Sequence, residues 1–171
     1  MKVKNFILKK QSINDLVKQL RLTAFNARRL GEAVDILEDM IRDKKCVKFL
    51  GLSGALVPAG MRACIVEMIK NKWVDIIVST GANITHDVAQ SFGEEYIQIE
   101  PEKIDDLKLR KKGFDRIYDV VSPSQTMVTM EKNIQKILKE IKEGEYSTFE
   151  LMKKIGKKID DKNSIVRTAA D

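Results

Sequence analysis

Between Leu22 and Asp43 the apolar residues Leu30, Val34, Leu37 and Ile41 recur at spacings of three and four, with Ala33, Ile36 and Met40 beside them. That period follows one side of an α-helix, and it predicts an amphipathic helix with a broad core face. Residues 46–52 (CVKFLGL) are short, apolar and β-tending, and they end in a glycine-bearing turn before VPAGMRACIVEMIKNK. The pattern there predicts strand, loop and helix, with Pro58 in the first turn of the helix, where its missing N–H would have no partner in any case. Residues 73–79 (WVDIIVS) predict a second buried strand, followed by a turn, TGANITHD, and a short helix through Ala89 and Phe92. Strand, helix and strand in this order make a βαβ unit with a parallel pair. A third strand is expected at 96–99 and a fourth around 117–121.

Beyond Pro123 the period is helical again, with Met127, Met130, Ile134, Ile137, Leu138 and Ile141 on one face and Gly144 as the expected stop. Ser147 and Glu150 have the spacing of a capping box ahead of Leu151 and Ile155, so a helix is expected from there to about Ile159. Ser164 is placed to cap a last helical turn, SIVRTAAD. No internal repeat and no low-complexity linker interrupts the chain. The reading is one α/β domain over residues 1–171, with a helical N-terminal segment at 1–43 and an α/β part at 46–171.

Composition narrows the classes. With 171 residues, 43% of them hydrophobic, and three prolines, the chain has the make-up of a folded domain. The net charge of +6 could suggest nucleic acid. The lysines, however, are spread along the whole chain and interleaved with acids, as in KKGFDRIYD and KKIGKKIDDK, which is the pattern of solvated helix faces, so no direct nucleic-acid partner is expected. Charge breaks every apolar stretch, and MKVKNFILKK does not have the form of a secretory leader, so no membrane association and a cytoplasmic location are expected. Cys46 and Cys64 lack any metal-binding spacing and are expected to be buried free thiols. No metal site is expected.

Chemistry in a parallel α/β arrangement belongs where strands end and helices begin, because backbone amides and the helix dipole face outward there. Two such ends are rich in small residues: GLSGALVPAG (51–60) and STGANITHD (79–87). Gly51, Gly54 and Gly60 do not match the dinucleotide fingerprint, and no acidic residue closes the second strand, since Asp75 stands at its beginning. Nucleotide binding and close helix-on-sheet packing both remain open on these residues alone.

FLGLSGALVPAGMR followed by VDIIVSTGANITHD closely resembles the two N-terminal signature segments of deoxyhypusine synthases in their archaeal-type form. The resemblance runs upstream through LTAFNARRLGEAVDILEDMI and downstream through KKGFDRIYDVV to KKIDDKNSIVRTAA, and so covers most of the chain. It implies a Rossmann-like parallel sheet flanked by helices, in subunits that assemble as a tetramer with NAD and spermidine in clefts between them. NAD takes a hydride from spermidine, diaminopropane leaves, and the aminobutyl group passes through an imine on an enzyme lysine to a lysine of translation initiation factor 5A.

Carried over position by position, Gly54, Ala55, Leu56, Val57 and Pro58 match the loop that wraps the cofactor, and Thr80, Gly81 and Ala82 match a second cofactor contact. Thr85 and His86 match positions at the spermidine and nicotinamide end. Many relatives carry carboxylates there, and a histidine is a weaker partner for an amine. Family members continue beyond the SIVRTAA-like helix into strands that carry acidic substrate ligands, a glycine-rich cofactor turn and the catalytic lysine. Lys44, Lys111 and Lys157 stand in no matching motif, so no catalytic residue is assigned to this chain. The resemblance therefore implies an incomplete sheet, completed by a complementary C-terminal-half chain in a hetero-oligomer that carries the nucleophilic lysine. A regulatory paralogue that binds a full-length synthase, a subunit of a homospermidine-forming enzyme, and a basic RNA- or nucleotide-binding module are the alternatives.

Overall fold

The computed structural model describes residues 2–100 and 104–171. Its contacts divide the chain into two compact units, Met1–Lys48 and Phe49–Asp171.

The first unit is a helical hairpin. Helix α1 (Ile13–Arg21) starts at Ser12, whose hydroxyl accepts the Asp15 N–H at 3.1 Å. Helix α2 (Phe25–Arg42) is the helix expected from the apolar period. Arg21 joins the two helices by ion pairs to Glu32 at 3.2 Å and Asp35 at 3.0 Å. Gly31 is the buried residue of α2, whereas Leu30, Val34, Leu37 and Ile41 are exposed. The amphipathic face exists as expected, but its residues are exposed rather than packed within the first unit, so it is not a core face here. Helix α1 lay outside the expected elements; its signal was the Ser12/Asp15 cap spacing, not a long apolar stripe.

The second unit is α/β. Strands β1 (Phe49–Leu52) and β2 (Ile76–Ser79) pair in parallel, in the register Phe49↔Ile76 through Leu52↔Ser79. The crossover is the turn Val57–Met61 followed by helix α3 (Arg62–Lys70). Pro58 stands in the first turn as expected, but Gly60 at φ 83° kinks the segment, so the regular helix begins only at Arg62. Helix α4 (Gly81–Ser91) follows β2 directly. TGANITHD is therefore mostly helix, where a turn was expected: Thr80 is the last extended residue and Gly81 already has helical geometry.

The third and fourth expected strands do not extend the parallel pair. They belong to a separate antiparallel sheet of order β3–β5–β4, built from β3 (Ile97–Gln98), β4 (Phe114–Ile117) and β5 (Val120–Pro123). The region expected as one strand, 117–121, is a hairpin that turns at Tyr118, which adopts φ 53°. Between β3 and β4 lies a short helix α5 (Asp106–Lys111), capped by Asp105 and not foreseen.

Helix α6 (Ser124–Lys139) ends well before Gly144, with Glu140 as its C-cap in ordinary helical geometry, so Gly144 is not the stop. Helix α7 (Thr148–Gly156) carries the expected capping box between Ser147 and Glu150, and α8 (Ile165–Ala170) is capped by Ser164. Both cysteines are free, but Cys64 is exposed and Cys46 half-buried, which corrects the expectation of buried thiols. Helix α3 turns Ile65 and Val66 inward, which leaves Cys64 outside, and Cys46 precedes β1.

One core cluster packs Leu52 of β1, Val57, Ile65 and Val66 of α3, and Ile165 of α8, with Leu50, Ile77 and Tyr96 against it. A second joins Val88 of α4, Ile137 of α6, Ile155 of α7, Ile159 and Val166. The opposite face of the parallel pair is exposed, with Phe49 at 65%, Ile76 at 40% and Val78 at 61% of their full accessibility. No helix among the described residues is long and apolar enough to cross a membrane.

Candidate functional site

The parallel pairing places the C-terminal ends of β1 and β2 side by side. The Thr80 N–H donates to the Leu52 carbonyl at 3.0 Å, which carries the pairing one residue past β2 and sets the loop after β1 beside the start of α4. Asn83, fully buried on α4, accepts the Leu56 N–H at 3.1 Å through its Oδ1 and so pins that loop to the helix. Its Nδ2 is buried and has no hydrogen-bond partner among the described residues. An unpaired buried amide N–H₂ is costly, and it is a donor that a ligand oxygen would satisfy.

The start of α4 is open. Thr80 is the N-cap, yet its side chain does not cap the helix. The first N–H groups of any α-helix lack intrahelical acceptors, and here no side chain substitutes for them. A Cβ on Gly81 would meet nothing within 4 Å, so an approaching group has room beside the backbone. Gly54, at φ +73°, lets the loop turn in a conformation that other residues adopt at a cost.

Of the positions singled out in the sequence, Gly54, Thr80, Gly81 and Ala82 are exposed, and Ala55, Leu56, Thr85 and His86 are half-buried. Val57 and Pro58 are buried, Val57 within the core cluster. The two loops converge as a set of neutral donors: backbone N–H groups at a helix start, a threonine hydroxyl and a buried amide. That donor set fits an anionic, oxygen-rich group such as the phosphates of a dinucleotide. The residues that would hold such a group are Gly54 and Ala55 on one loop and Thr80, Gly81, Ala82 and Asn83 on the other.

His86, further along α4, faces a different set of partners. Its Nδ1 lies 2.9 Å from the Tyr96 hydroxyl, which in turn donates to Glu94 Oε2 at 2.6 Å. The two rings meet edge to face, with centroids 5.7 Å apart. Partial burial holds the imidazole below its ordinary pKa of 6.5, against the pull of the Glu94 charge in the other direction. Burial, with the hydrogen bond to Glu94, pushes the Tyr96 phenol well above its ordinary value. His86 is thus neutral at pH 7 and Tyr96 stays protonated.

Sequence reasoning missed the network beneath this surface. Asp87, with no exposed surface, accepts Arg62 Nε at 2.6 Å, the Ser164 hydroxyl at 2.7 Å, and the backbone N–H groups of Ile165 at 2.9 Å and Val166 at 3.0 Å. Arg62 also donates to the Ser91 hydroxyl at 2.6 Å and pairs with Asp161 at 2.8 Å. One carboxylate and one guanidinium therefore fasten α8 to α3 and α4 and hold the site's floor. The available signal was a lone charge inside each apolar helix, in AGMRACIV and NITHDVA, where a buried partner is required.

A family model described as deoxyhypusine synthase matches residues 15–171. Among curated proteins, two named probable deoxyhypusine synthase 1 are similar: that of Methanosarcina acetivorans is 38% identical over 96% of this chain and 52% of its own length, and that of Archaeoglobus fulgidus is 38% identical over 93% of this chain and 52% of its own length. A deoxyhypusine synthase-like protein of Chlorobaculum tepidum is 34% identical over 98% of this chain and 49% of its own length. The chain spans about half the length of the curated relatives it matches. In fold it is similar to the crystal structure of an Entamoeba histolytica protein assigned as a deoxyhypusine synthase, with a TM-score of 0.65 at 17% identity, over 99% of this chain and 58% of that one.

Proposed function

The chain belongs to the deoxyhypusine synthase family, and from that premise we propose that it is one subunit of a split synthase, contributing the NAD- and spermidine-binding loops while a complementary chain supplies the rest of the sheet and the nucleophilic lysine. The reaction so assigned is NAD-dependent transfer of the aminobutyl group of spermidine to a lysine of the translation initiation factor 5A precursor, in the cytoplasm.

The observation that carries this reading is the uncovered parallel pair. Parallel strands are normally buried on both faces and belong to larger sheets, whereas β1 and β2 stand as two strands with Phe49, Ile76 and Val78 exposed on one face. Such a surface needs further strands and helices to cover it. At roughly 25 cal/mol for each Å² of apolar area removed from water, a standard-size interface offers ample drive for association.

Within the assembly each element of this chain has a defined task. The open start of α4 and the 54–58 loop bind phosphate and ribose oxygens through backbone N–H groups, Thr80 and Asn83. NAD, when bound, supplies the hydride acceptor. Thr85 and His86 lie on the same helix farther from the phosphate end, where they meet the polyamine. The Asp87–Arg62 pair keeps α4 rigid under both.

Titration calorimetry tests the division of labour. The chain alone is expected to bind NAD weakly or not at all, and tightly once its complement is added. Tight binding by the chain alone would show that the complement contributes little to the cleft. Recovery of a full-length synthase in place of a complementary half, with no gain of activity, would point to regulation.

A further inference from the structure

The hydrogen bonds around His86 fix where its proton sits. A phenolic hydroxyl has one proton, and Tyr96 commits it to Glu94 Oε2 at 2.6 Å. Toward His86 the Tyr96 oxygen can then only accept, so the 2.9 Å contact requires a proton on Nδ1. In a neutral imidazole that leaves Nε2 as a bare acceptor. Nε2 has no hydrogen-bond partner among the described residues.

We propose that Glu94 and Tyr96 are positioning residues that hold His86 as its Nδ1–H tautomer, so that the Nε2 lone pair accepts a hydrogen bond from an N–H of a cationic substrate amine. The opposite tautomer would present a second N–H to an amine that has only N–H groups to offer at its charged nitrogen, and binding there would fail. The arrangement makes a histidine serve where a carboxylate would otherwise meet the amine, through a charge placed two bonds away in the relay. Glu94 is buried, and its other oxygen, Oε1, has no partner among the described residues, so the hydrogen bond of its carboxyl group runs along the line through Tyr96.

The charged and titratable groups around this line are Glu94 and Tyr96 themselves and, about Tyr96, Arg62 of α3 and Asp87 of α4. Arg62 is engaged by Asp87 and Asp161, which leaves Glu94 as the charge coupled to the imidazole. Protonation of Nε2 would turn the acceptor into a cation facing a cation, so amine binding should be lost as the pH falls below about 6.5, through the depressed range of His86.

This inference rests on the polyamine reading of the site, and one measurement separates them. His86 is the only histidine of the 171 residues, so histidine-selective nitrogen labelling gives one pair of ring signals in a two-bond proton–nitrogen correlation spectrum. At pH 8 the chain is expected to show a protonated Nδ1 and a bare Nε2, and spermidine added to the complex with its complementary chain is expected to move the Nε2 signal. Glu94→Ala frees the Tyr96 proton to turn toward Nδ1 and is expected to shift the ring to the Nε2–H form. Tyr96→Phe is expected to weaken the spermidine response about tenfold, the worth of one hydrogen bond to a charged group. A proton on Nε2 in the unaltered chain, or a bare Nε2 that ignores saturating spermidine in the complex, overturns the proposal. The expected tautomer and spermidine response in a chain whose assembly transfers no aminobutyl group would leave the positioning intact and remove the synthase reading.

Discussion

Arg62 Nε lies 2.6 Å from Asp87 Oδ1 in the interior of the α/β unit, and the same carboxylate receives two backbone N–H groups at the start of α8. The pair joins the crossover helix, the site helix and the last helix of the chain.

Asp87→Ala should therefore be among the most damaging substitutions in the second unit. It removes the buried partner of the Arg62 guanidinium and the acceptor of the Ile165 and Val166 N–H groups at the start of α8. Breaking one side of a buried pair costs about 3–5 kcal/mol. Urea denaturation followed by far-ultraviolet dichroism should show a fall of that order, and a change below about 1 kcal/mol would show that Arg62 and α8 find other partners.

Gly156→Ala tests the packing of α7 on α8. A Cβ at this position would lie 2.5 Å from the Val166 carbonyl oxygen and 2.7 Å from Ala170 Cβ, with backbone on one side and little room to yield. Alanine gains up to about 1 kcal/mol in helix propensity, while overpacking costs roughly 1–3 kcal/mol. Net destabilisation is expected in thermal melts; a rise in midpoint would show that the two helices separate easily.

How much of this was legible beforehand differs by element. The βαβ unit, α7 with its capping box and the Ser164 cap were readable because period and cap spacing act locally. Strands at 96–99 and 117–121 were placed near their true positions but in the wrong sheet, since their lengths say nothing about pairing partner, and Tyr118 at positive φ gave no turn signal. The apolar face of α2 was readable as a face but not as uncovered. Of the site, the two signature loops were visible, whereas Asn83, Arg62, Asp87, Glu94 and Tyr96 depend on contacts across 2 to 79 residues of chain that periodicity does not encode.

Stability should carry the mark of His86 as the pH falls below 6.5. Its folded pKa is depressed below 6.5, so the unfolded chain binds the proton more readily. The contribution is present in full above pH 6.5 and is lost as the pH falls through the folded value. The depressed carboxylates Asp105, Asp106, Glu150 and Asp161 start from ordinary values of 3.8 to 4.5 and lose their protons well below this window. His86→Gln should flatten the dependence of the urea midpoint on pH there; an unchanged slope would assign it elsewhere.

Gly81→Asp probes the loop at the start of α4. The new Cβ meets open space, so the fold should survive, while a carboxylate now stands where phosphate or ribose oxygens would approach. NAD binding by the assembled complex is expected to be abolished with thermal stability unchanged. Undiminished affinity in a folded variant would remove this loop from the cofactor site.

The split-synthase account is tested most directly by incubating the purified chain with spermidine, NAD and the translation initiation factor 5A precursor, alone and with a candidate complementary chain, and by following the acceptor lysine by mass spectrometry. Aminobutyl transfer is expected only in the mixture, since the account places the nucleophilic lysine on the complementary chain. Modified acceptor lysine produced by this chain alone would contradict the account.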